Sequence, residues 1–271
     1  MSDGIYSALS GALAQERTLA VVANNLANTS TTGFRGDKVV FGEVVAQQRA
    51  QQPAPPASTT LPVTPPVPAL PTSPAPSASP QSEVQRFVTI DQIAVDHSAG
   101  SLRQTGNPLD VALQGDGYFA VEGAEGVERY TRAGSFVADG EGTLRTQNGL
   151  RVLGDSGELQ IPQGTKAVTI AADGTISADG QSVGKLKIVR FDRDDAVSHE
   201  GLTLFAPNAG AQPLAADTTS VTQGYIETAN VNPVAGMQEL ITVSRSFDAF
   251  QKVIEAFRDI DQRTARDVGG K

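Results

Sequence analysis

The residues with the most obvious chemical potential in this 271-residue chain are few: two histidines, a short acidic run and three carboxylates beside turns. His97 and His199 sit in different polar settings, and neither has a helical i, i+4 partner of the kind that holds a metal ion. Both read as surface or loop residues. The run Asp192-Arg193-Asp194-Asp195 has the charge for a hard cation but lacks the alternating oxygen ligands and distal Glu of a calcium loop. It reads as a solvated strand end. Asp110, Asp116 and Asp139 have the chemistry for acid–base work. Asp116 and Asp139 each precede Gly, however, so turn formation accounts for them, and Asp110 is placed to cap or bridge locally. There is no cysteine, hence no thiolate site or disulfide. No nucleophile elbow, P-loop lysine or Gly-rich phosphate loop is present. We assign no catalytic, cofactor-binding or metal-binding residue, and the chain reads as a non-enzyme.

The elements around these residues are more telling. Ile5, Leu9, Ala12, Glu16, Leu19, Ala23 and Leu26 alternate four and three apart, a heptad seam that predicts a helix over 4–27. Glu16 interrupts the seam. Near the other end, Asn232 is a good N-cap and Pro233 a good first helical residue. Leu240, Val243, Phe247, Phe250, Ile254 and Phe257 then repeat the same spacing, which predicts a second helix over 233–266. The repeat decays through Asp261 and Thr264. Each end of the chain thus supplies one seamed helix, and the simplest arrangement pairs them.

Between the helices lie three unlike stretches. Residues 51–82 hold 11 of the 16 prolines and no charged side chain, a composition for a linker or insert and not for a helix or a sheet interior. Residues 83–231 alternate short apolar runs with Asp116-Gly117, Asp139-Gly140, Asn148-Gly149, Asp173-Gly174 and Asp179-Gly180, a sequence of hairpin turns. All of the net charge of −9 lies in 51–231, which has 11 basic and 20 acidic residues, while both ends are neutral. That excludes phosphate-driven nucleic-acid binding by the middle of the chain. No apolar run approaches the roughly 18–20 residues of a membrane span, and the N-terminus lacks the basic start of a cleaved secretory signal.

The stretch "ANNLANTSTTGFRGDKVVF", Ala23 to Phe41, follows the first helix. Asn24, Asn25 and Asn28 have short polar side chains that satisfy main-chain groups freed at a helix end. Thr29, Thr31 and Thr32 extend that supply. Gly33 permits a sharp reversal, after which Phe34 has a place to anchor and Arg35 a carboxylate or carbonyl to meet. The segment reads as a joint.

Here the residues resemble a known family. "ANNLANTSTTGFRGDKVVF" is similar to the N-terminal signature of bacterial flagellar rod and hook proteins. "NPLDVALQGDGYFAVE" (107–122), "YTRAGSFVADGEGTLRTQNGLRVLG" (130–154) and "GYIETANVNPVAGMQELITVSRSFDAFQKVI" (224–254) resemble its later signatures, in the family's order. The length and "VTIAADGTISADGQSVGKLKIVRF" look most like a proximal-rod member. The resemblance implies an α+β chain: a terminal two-helix coiled coil formed by the N- and C-terminal helices, plus a central all-β domain with many hairpins. Its expected parts are 1–50 (first helix and joint), 51–82 (Pro-rich insert), 83–231 (β domain) and 232–271 (second helix). It further implies a structural subunit of the flagellar basal-body rod in the periplasm, exported without signal cleavage by the flagellar type III apparatus and polymerising with other rod subunits for motility. The expected assembly interface is Ile5, Leu9, Ala12, Leu19, Ala23 and Leu26 with Leu240, Val243, Phe247, Phe250, Ile254 and Phe257. No nucleic acid, cofactor or transmembrane segment is expected. The alternatives are a distal-rod or hook-type subunit, a secreted ligand-binding adhesin, and a glycan-cleaving enzyme of the cell wall.

Overall fold

The computed structural model describes residues 2–46, 85–123, 126–192, 196–216 and 218–269. The Pro-rich insert expected at 51–82 lies outside them, as do Arg193 to Asp195 of the acidic run.

The chain opens with helix α1, Ser2–Ala27, and closes with helix α2, Pro233–Gly269. Asn232 starts α2 as a true cap: its Oδ1 accepts from the N–H groups of Val234 at 3.0 Å and Ala235 at 3.2 Å, two donors that a helix start otherwise leaves unpaired. The helices pack antiparallel. Gly11 of α1 faces Phe250 of α2, where a Cβ at position 11 would lie 2.7 Å from the ring, and Leu26 approaches Gly236. Small residues on α1 allow this close approach. No helix among the described residues is long and apolar enough to cross a membrane.

Two strands, β1 (Asp37–Ala46) and β2 (Gln85–Val95), pair antiparallel as a ribbon with an irregularity between Val40 and Phe41. The ribbon draws one strand from each side of the Pro-rich stretch, so it joins residues that the sequence reading put in separate parts. It lies against α1, which is therefore covered on two sides.

The central region is β-rich, as the turn pattern predicts. Its main sheet runs in the order Val197–His199, Leu204–Pro207, Glu128–Thr131, Tyr118–Glu122, Arg151–Gly154, Leu144–Thr146 and Phe136–Ala138. A three-stranded sheet, Val168–Ile170, Thr175–Ala178 and Gln181–Lys185, stands beside it. "TIAADGTISADG" forms most of the first two strands and the two turns of this smaller sheet. Strand Tyr118–Glu122 shows the period-2 logic of a buried strand. Phe119 and Val121 enter one core with Phe136, Leu144, Val152 and Ile176. Tyr118 and Ala120 enter the second with Tyr130, Val189, Val197 and Phe205. Burying each large apolar side chain stabilises the fold by about 1.5–3 kcal/mol.

Candidate functional site

A connected set of hydrogen bonds and ion pairs fills the waist between the helices and the β region. Three stretches of main chain meet in it: 28–36, which dips from α1 into the crossing zone and returns to the ribbon, and 96–101 and 228–232, which pass between the two sides.

The first crossing begins where α1 ends. Asn28 donates from its main-chain N to Asn24 O at 3.2 Å and from Nδ2 to the same oxygen at 2.9 Å. Thr29 Oγ1 donates to Leu26 O at 3.0 Å. Thr31 N donates to Asn28 O at 3.0 Å, and Thr31 Oγ1 to Asn28 Oδ1 at 3.2 Å. The last carbonyls of the helix are thus satisfied locally. Asn25 reaches further. Its Nδ2 donates to Asp37 O at 2.8 Å and its Oδ1 accepts from Asp37 N at 2.9 Å, so a helix side chain clamps the first residue of the ribbon. Thr32 is half-buried and Asn24 exposed.

Gly33 has φ +69°, and its N donates to Glu227 O at 2.8 Å. It lies flat on the backbone of Arg132 and Ala133, where a Cβ would meet Ala133 N at 2.3 Å. Phe34 is buried and stacks on the His199 ring with centroids 6.1 Å apart. Arg35 is 2% exposed. Its guanidinium pairs with Glu227 Oε1 at 2.8 Å and donates to Ser98 O.

Glu227, itself 2% exposed, gathers the other crossings. Oε1 also accepts from Gly100 N at 2.8 Å, and Oε2 faces Arg132 at 3.4 Å. Arg132 donates to Gly115 O at 2.7 Å and lies over the Tyr118 ring. One carboxylate between two buried guanidiniums leaves an excess of positive charge. Burial lowers the Arg132 pKa, against the pull of Glu227 and with a further push from Arg35. Asn230 completes the set. Its Oδ1 accepts from Gly36 N at 2.7 Å and its Nδ2 donates to Asp96 O at 2.8 Å.

His199 Nε2 lies 3.1 Å from Arg35 O and 3.4 Å from Asp37 Oδ1. Both oxygens accept, so Nε2 carries the proton. His199 ends strand Val197–His199 and is 16% exposed at its side chain, a correction to its reading as a surface or loop residue. Strand pairing with Phe205 swings it under the first crossing. His97 meets the Tyr118 hydroxyl at 2.8 Å. Asp110 is buried and bonded by Asn107 Nδ2 at 3.1 Å.

Burial raises the Asp37 pKa, partly offset by His199. A carboxyl with its folded pKa raised contributes stability below the unfolded pKa and loses it as pH rises through the folded value. Asp37→Asn keeps the acceptor and removes the charge. It is expected to raise the melting temperature by about 1–3 °C at pH 7, with the gain fading toward the ordinary carboxylate pKa of about 3.9. Thermal melts of both proteins at pH 7.5, 5.5 and 4 check this, and an equal gain at every pH would contradict it.

The helix positions fall as follows. On α2, Val243 is buried and Leu240, Phe247, Phe250, Ile254 and Phe257 are half-buried, while most positions between them are exposed. On α1, Ala12 is buried, Ile5, Leu19 and Leu26 are half-buried, and Leu9, Glu16 and Ala23 are exposed. The buried α1 residues also include Ala8, Ala14, Thr18, Val21 and Val22. The α1 face is rotated and widened from a single seam because the ribbon covers a second side of this helix.

The groups at the waist are paired with one another and with main chain. They hold segments in place, and no nucleophile stands beside a base among them. No group of three or more His, Cys, Asp or Glu among the described residues is placed to hold a metal ion. Sequence reasoning missed Glu227, Arg132, Asn230 and His199 as parts of this site. A lone acidic residue in the otherwise uncharged stretch "GYIETANVNP" was the one available signal.

Three family models match the chain: the flagella basal body rod protein model at residues 5–35, the flagellar hook protein FlgE/F/G D1 domain at 112–178, and the flagellar basal body rod FlgEFG protein C-terminal model at 222–267. The chain is 36% identical to the flagellar basal-body rod protein FlgF of Escherichia coli, covering 96% of this chain and 95% of that protein. It is 30% identical to FlgF of Caulobacter vibrioides over 99% of both. It is 32% identical to the rod protein FlgG of Bacillus subtilis over 97% of both.

Proposed function

The chain belongs to the FlgF and FlgG family of flagellar basal-body rod proteins, and from that premise we propose how its geometry serves the rod. As a member it is a structural subunit of the basal body and not an enzyme. It polymerises through its terminal helices, which pair as a coiled coil and present their remaining apolar positions to axial and lateral neighbours. The interface comprises Ile5, Leu9, Ala12, Leu19, Ala23 and Leu26 with Leu240, Val243, Phe247, Phe250, Ile254 and Phe257. Head-to-tail contacts that do not close generate a helical polymer. Asn24, Asn25, Asn28, Thr32, Gly33, Phe34 and Arg35 form the joint through which torque passes between helices and β region. The chain takes a proximal-rod position in the periplasm, and the flagellar type III apparatus exports it with its N-terminus retained.

One observation carries this reading. The three crossings of the waist meet at the single buried carboxylate of Glu227, so twisting the helices must turn the β region with them. A distal-rod position is the second reading, since relatives named FlgF and FlgG match at similar identity. Labelling this chain in isolated basal bodies separates the two.

Phe250→Asp tests the helical interface. A carboxylate among half-buried rings faces a desolvation penalty of several kcal/mol. The variant is expected to be secreted normally, to stop rod growth and to abolish swimming. Normal motility in that strain would contradict the assignment.

A further inference from the structure

We infer that His199 is a positioning residue that sets the stiffness of the waist, by tying the β region to the first crossing through one N–H. This rests on the structural-subunit reading above but concerns a side chain, His199, that lies outside every segment the family models match, 5–35, 112–178 and 222–267.

The β region sends two side chains beneath the crossings from its own strands and loops. Arg132 grips the third crossing side through Glu227. His199 grips the first. Its Nε2–H points at Arg35 O, 3.1 Å away, with Asp37 Oδ1 at 3.4 Å. These acceptors flank Gly36, the residue at which the joint becomes ribbon. Asn25 holds Asp37 from the helix side, so Asp37 is fixed by α1 above and by His199 below.

The ring is itself held. Phe34 stacks on one side at 6.1 Å, and Phe205 lies 4.7 Å away. Phe205 continues to Tyr118 at 5.2 Å, and Tyr118 to Phe191 at 6.1 Å. A row of rings thus runs from the joint into the second core. Nδ1 is buried without a hydrogen-bond partner, so one ring nitrogen provides the whole polar link. Strand Val197–His199 also lies against β2, which places the same hairpin beside both strands of the ribbon. Without the Nε2 bond, the ribbon and β region remain connected by covalent crossings and by Glu227, but their relative angle loses its restraint at Arg35 and Asp37.

The chain has no cysteine, so two introduced cysteines carry spin labels uniquely. Ile93→Cys on β2 and Val137→Cys on strand Phe136–Ala138 use exposed positions on the two sides of the waist. Pulsed electron resonance on the full-length protein then reads their distance distribution, independently of any rod assembly. His199→Phe keeps a ring and deletes the donor; His199→Gln keeps an N–H donor near the Nε2 position and deletes the ring. The expected result is a distribution at least twice as broad in His199→Phe, at unchanged far-ultraviolet circular dichroism, and a width restored toward the parent in His199→Gln. A His199→Phe distribution as narrow as the parent overturns the proposal, as does a His199→Gln distribution as broad as His199→Phe. Because the distance is read on the unassembled chain, this outcome is separate from the polymer reading, which normal motility of the Phe250→Asp strain would overturn on its own.

Discussion

Gly33→Ala is expected to be strongly destabilising. Its Cβ would lie 2.3 Å from Ala133 N and 2.4 Å from the Arg132 carbonyl carbon. Both are main-chain atoms, so no side-chain rotation relieves the clash. The backbone also sits at φ +69°, which costs a side-chain-bearing residue roughly 1–2 kcal/mol. Overpacking adds about 1–3 kcal/mol. The combined loss of about 2–5 kcal/mol corresponds to a melting temperature lower by about 10 °C. Gly149→Ala is the control. It has a similar φ of +83° but open space around the missing Cβ, so it bears the conformational cost without the clash. Melting curves of the two variants separate these contributions. Equal losses at both positions would show that the packing of Gly33 on the Arg132–Ala133 backbone contributes nothing. In cells, Gly33→Ala is expected to stop swimming while Gly149→Ala swims.

Glu227→Ala is expected to cost a similar amount for a different reason. Its carboxylate is the shared partner of two guanidiniums that are 2% and 5% exposed. Removing one member of a buried charge network costs about 3–5 kcal/mol, because the charges left behind stay desolvated. Here two cations remain, and Gly100 N loses its acceptor as well. Arg35 and Glu227 should therefore couple strongly. The double variant Arg35→Ala/Glu227→Ala is expected to lose less than the sum of the single losses, by about 1–3 kcal/mol. Denaturant titration of the three variants measures that coupling. Additive losses would mean that the 2.8 Å pair holds nothing together. Limited proteolysis of Glu227→Ala is expected to cut first at the waist, within 28–36 or 228–232, where the released segments leave the β region.

These two residues differ in how they appear in the amino-acid order. Gly33 stands in a run of asparagines and threonines after a long seam, and a reversal is the physical use of Gly in that place. Glu227 stands alone near the end of the β region, 192 residues from Arg35. Nothing local ties them.

The sequence by itself determined the two terminal helices, the cap at Asn232, and the hairpin-rich middle. These follow from spacing of 3.5 or 2 and from turn residues, all of which act over a few positions. It also determined the family, through four short signatures in order. The tertiary structure alone decided three matters. It paired β1 with β2 across the Pro-rich stretch, and thereby buried a second side of α1 while leaving Leu9 and Ala23 exposed. It brought Arg35, Arg132 and Glu227 to one point. It placed His199 beneath the joint. Each of these depends on which distant segments meet, and the energy that fixes them is the avoided cost of a buried unpaired group. Such a cost exists only once the chain has closed around it.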